Sequence, residues 1–172
     1  MKKILQTTMA GFLVMVVACN DSATKSADET TTDSTKSNES TMAATSDATI
    51  KTTFPLKSDQ EVPANNSSAS GTADVAYNKD SKMLTYTLTF NGLTGKATMA
   101  HIHGTAPKGT NAGVKHDLSN VLPKEISGSF TDSVKIDASD IKEDSLLGGF
   151  YYFNIHTPAN PGGEIRGQIE LK

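Results

Sequence analysis

Residues 82–91 alternate without a break: Leu84, Tyr86, Leu88 and Phe90 occupy every second position, and Thr85, Thr87 and Thr89 stand between them. A period of two sends the large apolar side chains to one face of an extended segment and the β-branched hydroxyls to the other. That is the signature of a half-buried antiparallel strand, and it is incompatible with a helix, whose apolar stripe recurs every three or four residues. Such a strand needs partners for its backbone groups and a second layer for its apolar face. Short runs of similar character occur at 71–77, 98–103, 128–136, 149–156 and 164–171, with 54–58 as an opening edge strand. Turn chemistry separates them, in Asn78-Lys79-Asp80, Asn91-Gly92 and Pro158-Ala159-Asn160-Pro161-Gly162-Gly163. About seven short strands in the space of one domain predict an all-β Greek-key sandwich of immunoglobulin-like or copper–zinc superoxide dismutase-like type. One short helical turn is expected where Asp140 and Glu143 form a capping box and Gly148-Gly149 ends it.

Ahead of this domain the chain changes character twice. Residues 1–18 read as a signal peptide: Lys2 and Lys3 give a positive start, and residues 9–18 are an apolar run of about ten, half the length a spanning helix requires. Val16-Val17-Ala18-Cys19 resembles the lipobox of bacterial lipoproteins, and Cys19 is the sole cysteine. Lipidation at Cys19 is therefore expected; palmitate-type acyl chains hold a protein on a membrane at about 0.8 kcal/mol per buried methylene. Residues 20–53 are dominated by Ser, Thr, Ala, Asp, Glu, Lys and Asn, with Met42 and Ile50 the only large apolar side chains. Such a composition cannot offset the entropy of ordering, so 19–53 reads as a lipidated cysteine and disordered linker, with a reach of about 30 Å, before a domain at 54–172. Removing Lys2 and Lys3 from 16 basic and 19 acidic residues leaves a net charge of −5. That charge excludes nucleic acid as a partner, since no basic stripe exists to displace counterions. Export with a lipid anchor points to the outer membrane or cell surface.

The domain also carries unusual blocks in a fixed order: Gln60-Glu61-Val62-Pro63, Ala69-Ser70-Gly71-Thr72-Ala73, Leu84-Thr85-Tyr86, Gly92-Leu93-Thr94-Gly95, Ala100-His101-Ile102-His103-Gly104, and the run from Asn154-Ile155-His156 through Gly163-Glu164-Ile165-Arg166-Gly167. Together these resemble the CHRD domain, named for chordin. The resemblance implies a β-rich extracellular domain. In chordin-like animal proteins it belongs to secreted antagonists of bone morphogenetic proteins, and in bacteria to exported proteins. A fainter resemblance is to copper–zinc superoxide dismutases: His101-Ile102-His103 is similar to their histidine pair, 116–121 to a stretch near their zinc site, Ile155-His156 to the strand bearing a further copper ligand, and 162–167 to the region of their guiding arginine. The metal-bridging histidine and the disulfide pair have no counterpart here, which argues against a dinuclear site.

The chemistry follows from spacing. His101 and His103 lie two apart on a strand, so both imidazoles leave one face. With His156 beside them, three neutral nitrogens would suit Cu or Zn, with Glu61, Asp117 or Glu164 adding an oxygen or fixing a tautomer. The competing reading makes the same histidines structural, with Ile102 in the core and the imidazoles bonded to loop backbone. His116 reads as a solvated surface residue. Arg166 is the only arginine beside fifteen lysines. Its planar fork either guides an anion or clamps a carboxylate of Glu61 or Glu164. No nucleophile elbow, phosphate loop or cysteine redox pair supports an enzymatic reading. The sequence thus favours a membrane-tethered binding or structural module of the cell envelope with a protein or polysaccharide partner. The alternatives are a mononuclear Cu or Zn protein with a redox or buffering role, and a spacer with no ligand of its own.

Overall fold

A computed structural model describes residues 48–172. The expectations for the signal peptide, for Cys19 and for the linker up to residue 47 lie outside the described residues. Eight antiparallel strands follow in chain order: β1 (Thr49–Lys57), β2 (Ser70–Asn78), β3 (Met83–Asn91), β4 (Met99–Gly104), β5 (Val114–Asp117), β6 (Gly128–Lys135), β7 (Tyr151–His156) and β8 (Ile165–Gln168). One short helix, α1 (Glu143–Leu147), precedes β7.

The strands form one curled sheet in the order β5-β4-β7-β8-β1-β2-β3-β6. Its two halves meet where β1 and β8 share a single residue pair, Lys57 opposite Arg166. At this seam the ladder is nearly interrupted, and the sheet folds over so that the apolar faces of the two halves pack together. Tyr86 of β3 meets Phe153 of β7 with ring centroids 5.0 Å apart, and Phe54 of β1 stacks on the same Phe153 at 6.3 Å. The alternation of β3 does as its pattern dictates: Leu84, Tyr86, Leu88 and Phe90 are fully buried between the halves. Ile102, Phe153, Ile155 and Ile165 answer them from the other side, all with no exposed surface. The chain crosses between halves after β3, returns after β5 and crosses again after β6, so that β6 lies beside β3 and β7 beside β4. That is Greek-key connectivity, and the all-β sandwich expected from the turn spacing is the fold observed.

Three local expectations are corrected. The first strand opens at Thr49, so 49–53 belong to the domain rather than to a disordered linker, and β1 is an interior strand between β8 and β2 rather than an edge. Its inward positions Ile50, Thr52, Phe54 and Leu56 keep the period of two beneath a threonine-rich composition. The strand Val114–Asp117, too short and polar to stand out, pairs with β4 and forms an edge. No capping box starts α1: Lys142 occupies the N-cap without a side-chain bond, and Glu143 instead accepts from Lys82 Nζ at 2.7 Å and from the Tyr77 hydroxyl at 2.7 Å. The helix does end at Gly148, and Gly149 follows with φ of 74°.

Candidate functional site

The inner face of β4, β7 and β8 is apolar, so their alternate residues form a second, outward face. Register fixes its membership: His101 lies opposite Asn154 and Asn154 opposite Arg166; His103 lies opposite Tyr152 and Tyr152 opposite Gln168. An outward face of a sandwich is ordinarily wet. Here it is covered by the loops before β5 and before β8, which supply Thr110, Asn111, Ala112 and Pro161, and by the segment after β1 that carries Glu61. His101 is 9% exposed, His156 5%, Asn154 2% and Arg166 1%. This half of the molecule therefore has an apolar core on one side of its strands and an enclosed polar layer on the other.

Three imidazoles converge in that layer. One nitrogen each of His101, His103 and His156 falls in a set whose members lie within 4.8 Å of one another. His103 Nδ1 is 2.9 Å from the carbonyl of Ala112, and His156 Nδ1 is 2.9 Å from the carbonyl of Pro161. A carbonyl can only accept, so both rings carry their proton on Nδ1 and turn an Nε2 lone pair inward. His103 Nε2 is buried with no partner. His156 Nε2 lies 2.9 Å from His101 Nδ1, which must be the donor, and His101 Nε2 looks toward Asp117 Oδ1 at 3.8 Å. All three rings are held neutral. Burial pushes the His156 pKa down to about 4, and burial followed by mutual repulsion lowers His101. For His103, burial outweighs the bond to Ala112, which acts in the opposite direction.

A stack flanks the histidines. The Tyr152 ring lies parallel to His103, tilted 4° with centroids 4.9 Å apart, and the Arg166 guanidinium sits 3.4 Å from the centre of the Tyr152 ring. Arg166 does not make the carboxylate clamp expected of it. Its fork donates to Asn111 Oδ1 at 3.1 Å, Thr110 O at 2.9 Å and Gln168 Oε1 at 3.4 Å. Glu164 spends its carboxylate elsewhere, accepting from Ser67 Oγ at 2.6 Å, Thr94 N and Oγ1 at 2.8 Å, and Thr157 Oγ1 at 2.6 Å. Burial alone would raise its pKa, but these donors pull it below the ordinary value. Glu164 thus ties three loops together and does not reach the imidazoles. Glu61 is buried beside Asn154 and Gly163, with Oε1 unpaired; burial lifts its pKa to about 7 against the opposing pull of Arg166. Gly163 has φ of 129°, and a Cβ there would collide with Glu61 Oε1. His116 sits opposite Ile102, on the other face of the strand from the histidine cluster.

Sequence reasoning missed Tyr152, Asn154 and Gln168. Tyr152 and Asn154 alternate with Phe153 and Ile155 in the run Tyr151–His156, and Gln168 lies on β8; only the enclosure of both faces, which the fold creates, marks them out. A concavity of about 470 Å³ lies on the other half, lined by Lys51, Thr53, Asp74, Thr85 and Thr87 among others. Its one carboxylate, Asp74, is already bonded by the Thr53 hydroxyl at 2.6 Å.

Fold and site together define a class: a Greek-key β-sandwich whose second half encloses a polar layer with three imidazoles. The family follows from comparison, since the profile of the CHRD domain matches residues 52–169, and the chain belongs to the CHRD domain family. That membership supports a binding or structural module role. Among curated proteins and among solved structures, nothing matches the chain.

Proposed function

We propose that this chain is a CHRD module tethered to the cell envelope through lipidated Cys19, and that its enclosed layer holds a single Cu or Zn ion on His101 Nδ1, His103 Nε2 and His156 Nε2. The observation that carries the metal reading is the orphaned Nε2 of His103. A buried lone pair without a partner costs about 1–3 kcal/mol, and the ring that carries it has a nitrogen within 4.8 Å of one nitrogen on each of two further imidazoles. Two of the three rings donate their remaining N–H to a loop carbonyl, the outer-shell arrangement that orients metal-binding histidines. Metal–nitrogen bonds of about 2.0–2.1 Å place tetrahedral ligands about 3.4 Å apart, so the nitrogens need only small ring rotations to close. His101 must shift its proton from Nδ1 to Nε2, where Asp117 stands ready to accept it. A purely structural role accounts for the two carbonyl bonds, but it leaves the His103 lone pair without a purpose.

Metal content of the full chain, measured by mass spectrometry after incubation with Cu and Zn and exhaustive dialysis, tests this reading. Near-stoichiometric metal is expected, with loss in the His101→Ala/His103→Ala double variant. No retained metal in a folded protein would make the histidines structural and return the protein to a module with a protein or polysaccharide partner. The anchor is tested separately: Cys19→Ala should release the protein from the membrane, and persistent membrane association would refute lipidation.

A further inference from the structure

The ligand set of a metal site decides which ion it prefers, and two features around the histidines bear on that choice. The first is on β4. Met99, His101 and His103 are two apart in turn, so all three side chains leave the same face. Register places Met99 directly opposite His156. Directly opposed residues on an antiparallel pair have their Cβ atoms about 4.5–5.5 Å apart. Met99 is 40% exposed while His101 and His156 are buried, so it stands at the water-facing rim of the cluster. Its thioether is a soft donor, of the kind that selects Cu(I) over Zn(II).

The second feature is charge. The three imidazoles are neutral ligands and bring no negative charge to an ion. Arg166 is a buried cation whose hydrogen-bond partners are all neutral: a carbonyl, two side-chain amide oxygens and, beneath it, the Tyr152 ring that lies on His103. Among the described residues no carboxylate forms an ion pair with it, and the one buried carboxylate that feels its charge, Glu61, is disfavoured in its charged form by burial. Asp117, the one acid facing His101, has a side chain 59% exposed and is screened by water. A divalent ion entering this layer meets twice the repulsion from Arg166 that a monovalent ion meets.

We propose that the tris-histidine cluster is a copper(I) site, with Met99 supplying a soft fourth ligand at its rim and the buried Arg166 cation discriminating against divalent ions. This rests on the metal-binding reading above and narrows it to one ion and two further residues. Both residues act on the choice of ion: Met99 through donor softness, Arg166 through charge carried across the Tyr152 ring.

The test is a pair of affinity titrations on the full chain bearing Cys19→Ser, so that the lone thiol does not compete for copper. Cu(I) is titrated anaerobically with ascorbate against bicinchoninate, and Zn(II) against a chromogenic chelator. The expected result is tighter retention of Cu(I) than of Zn(II). Met99→Leu, at an exposed position that leaves folding intact, should weaken Cu(I) about tenfold and leave Zn(II) unchanged. Arg166→Gln, with circular dichroism to verify its fold, should tighten Zn(II) relative to Cu(I). Zn(II) held as tightly as Cu(I) by the parent chain, or Cu(I) affinity unmoved by Met99→Leu, would overturn the copper(I) assignment while leaving a metal site standing. Retention of neither ion would remove the metal reading and this inference together.

Discussion

The outward faces of the two half-sheets are built on the same backbone pattern and have opposite fates. On β1, β2, β3 and β6 the outward residues are mostly hydroxyls in water, joined in cross-strand pairs such as Thr87 with Thr131 at 2.7 Å and Thr89 with Ser129 at 3.0 Å. On β4, β7 and β8 they are, apart from the exposed Met99, histidine, asparagine, tyrosine, glutamine and arginine under loops. Exposed hydroxyls cost nothing to leave wet. An enclosed polar layer is expensive unless every group finds a partner, and here His103 Nε2, Asn154 Oδ1 and Glu61 Oε1 do not. The difference gathers buried polar atoms without partners into one half of the fold, while the hydroxyl rows of the other half pair with one another in water.

The comparison can be broken at the surface the halves share. Phe153 packs between Tyr86 and Phe54 and is fully buried, so Phe153→Ala should cost about 3–5 kcal/mol in chemical denaturation and loosen both halves at once. A loss confined to the loops over the histidines would mean that the halves are stabilised independently. A narrower test lies within the polar layer. Because burial lifts the Glu61 pKa from 4.5 to about 7, its protonated form favours the folded state. That contribution is complete below pH 4.5 and is lost as pH rises through 7. Relative to Glu61→Gln, which keeps the neutral shape, the parent protein should therefore lose stability on the order of 3 kcal/mol between those limits. A pH-independent difference between the two proteins would show that Glu61 stays ionised. His156 works in the opposite sense, its contribution being complete above pH 6.5 and lost as pH falls toward 4, which is why the paired comparison is needed. The smallest effect belongs to the wet face. Thr87→Val removes one hydroxyl pair from an exposed row and should change stability by less than about 0.5 kcal/mol, as measured by thermal denaturation.

The wet half was the more legible in sequence, for the same reason that its outer face is inexpensive. One face buried and one face wet imprints a strict alternation, and β3 could be read directly. Where both faces are enclosed the alternation blurs: Tyr151–His156 mixes aromatic, aliphatic and polar residues that are all buried, and its outward members Tyr152 and Asn154 could not be told from core. The histidine pair on β4 was legible because spacing alone puts both rings on one face. Arg166 stood out by composition, but its partners did not: Thr110 and Asn111 reach it from a loop 56 and 55 residues away, a proximity that only the fold creates. The start of β1 was missed because threonine and lysine masked the inward positions Ile50, Thr52, Phe54 and Leu56.

The Glu164 carboxylate has a bearing on the order of events. Its donors Ser67 and Thr94 lie 97 and 70 residues away along the chain, so the knot can tighten only once both ends of the domain have been made and brought together. A fold dominated by contacts of such long sequence separation forms more slowly than one built from local contacts. A single buried carboxylate therefore couples the closing of the loops after β1, β3 and β7, so that opening any one of them leaves Glu164 short of a donor and loosens the other two.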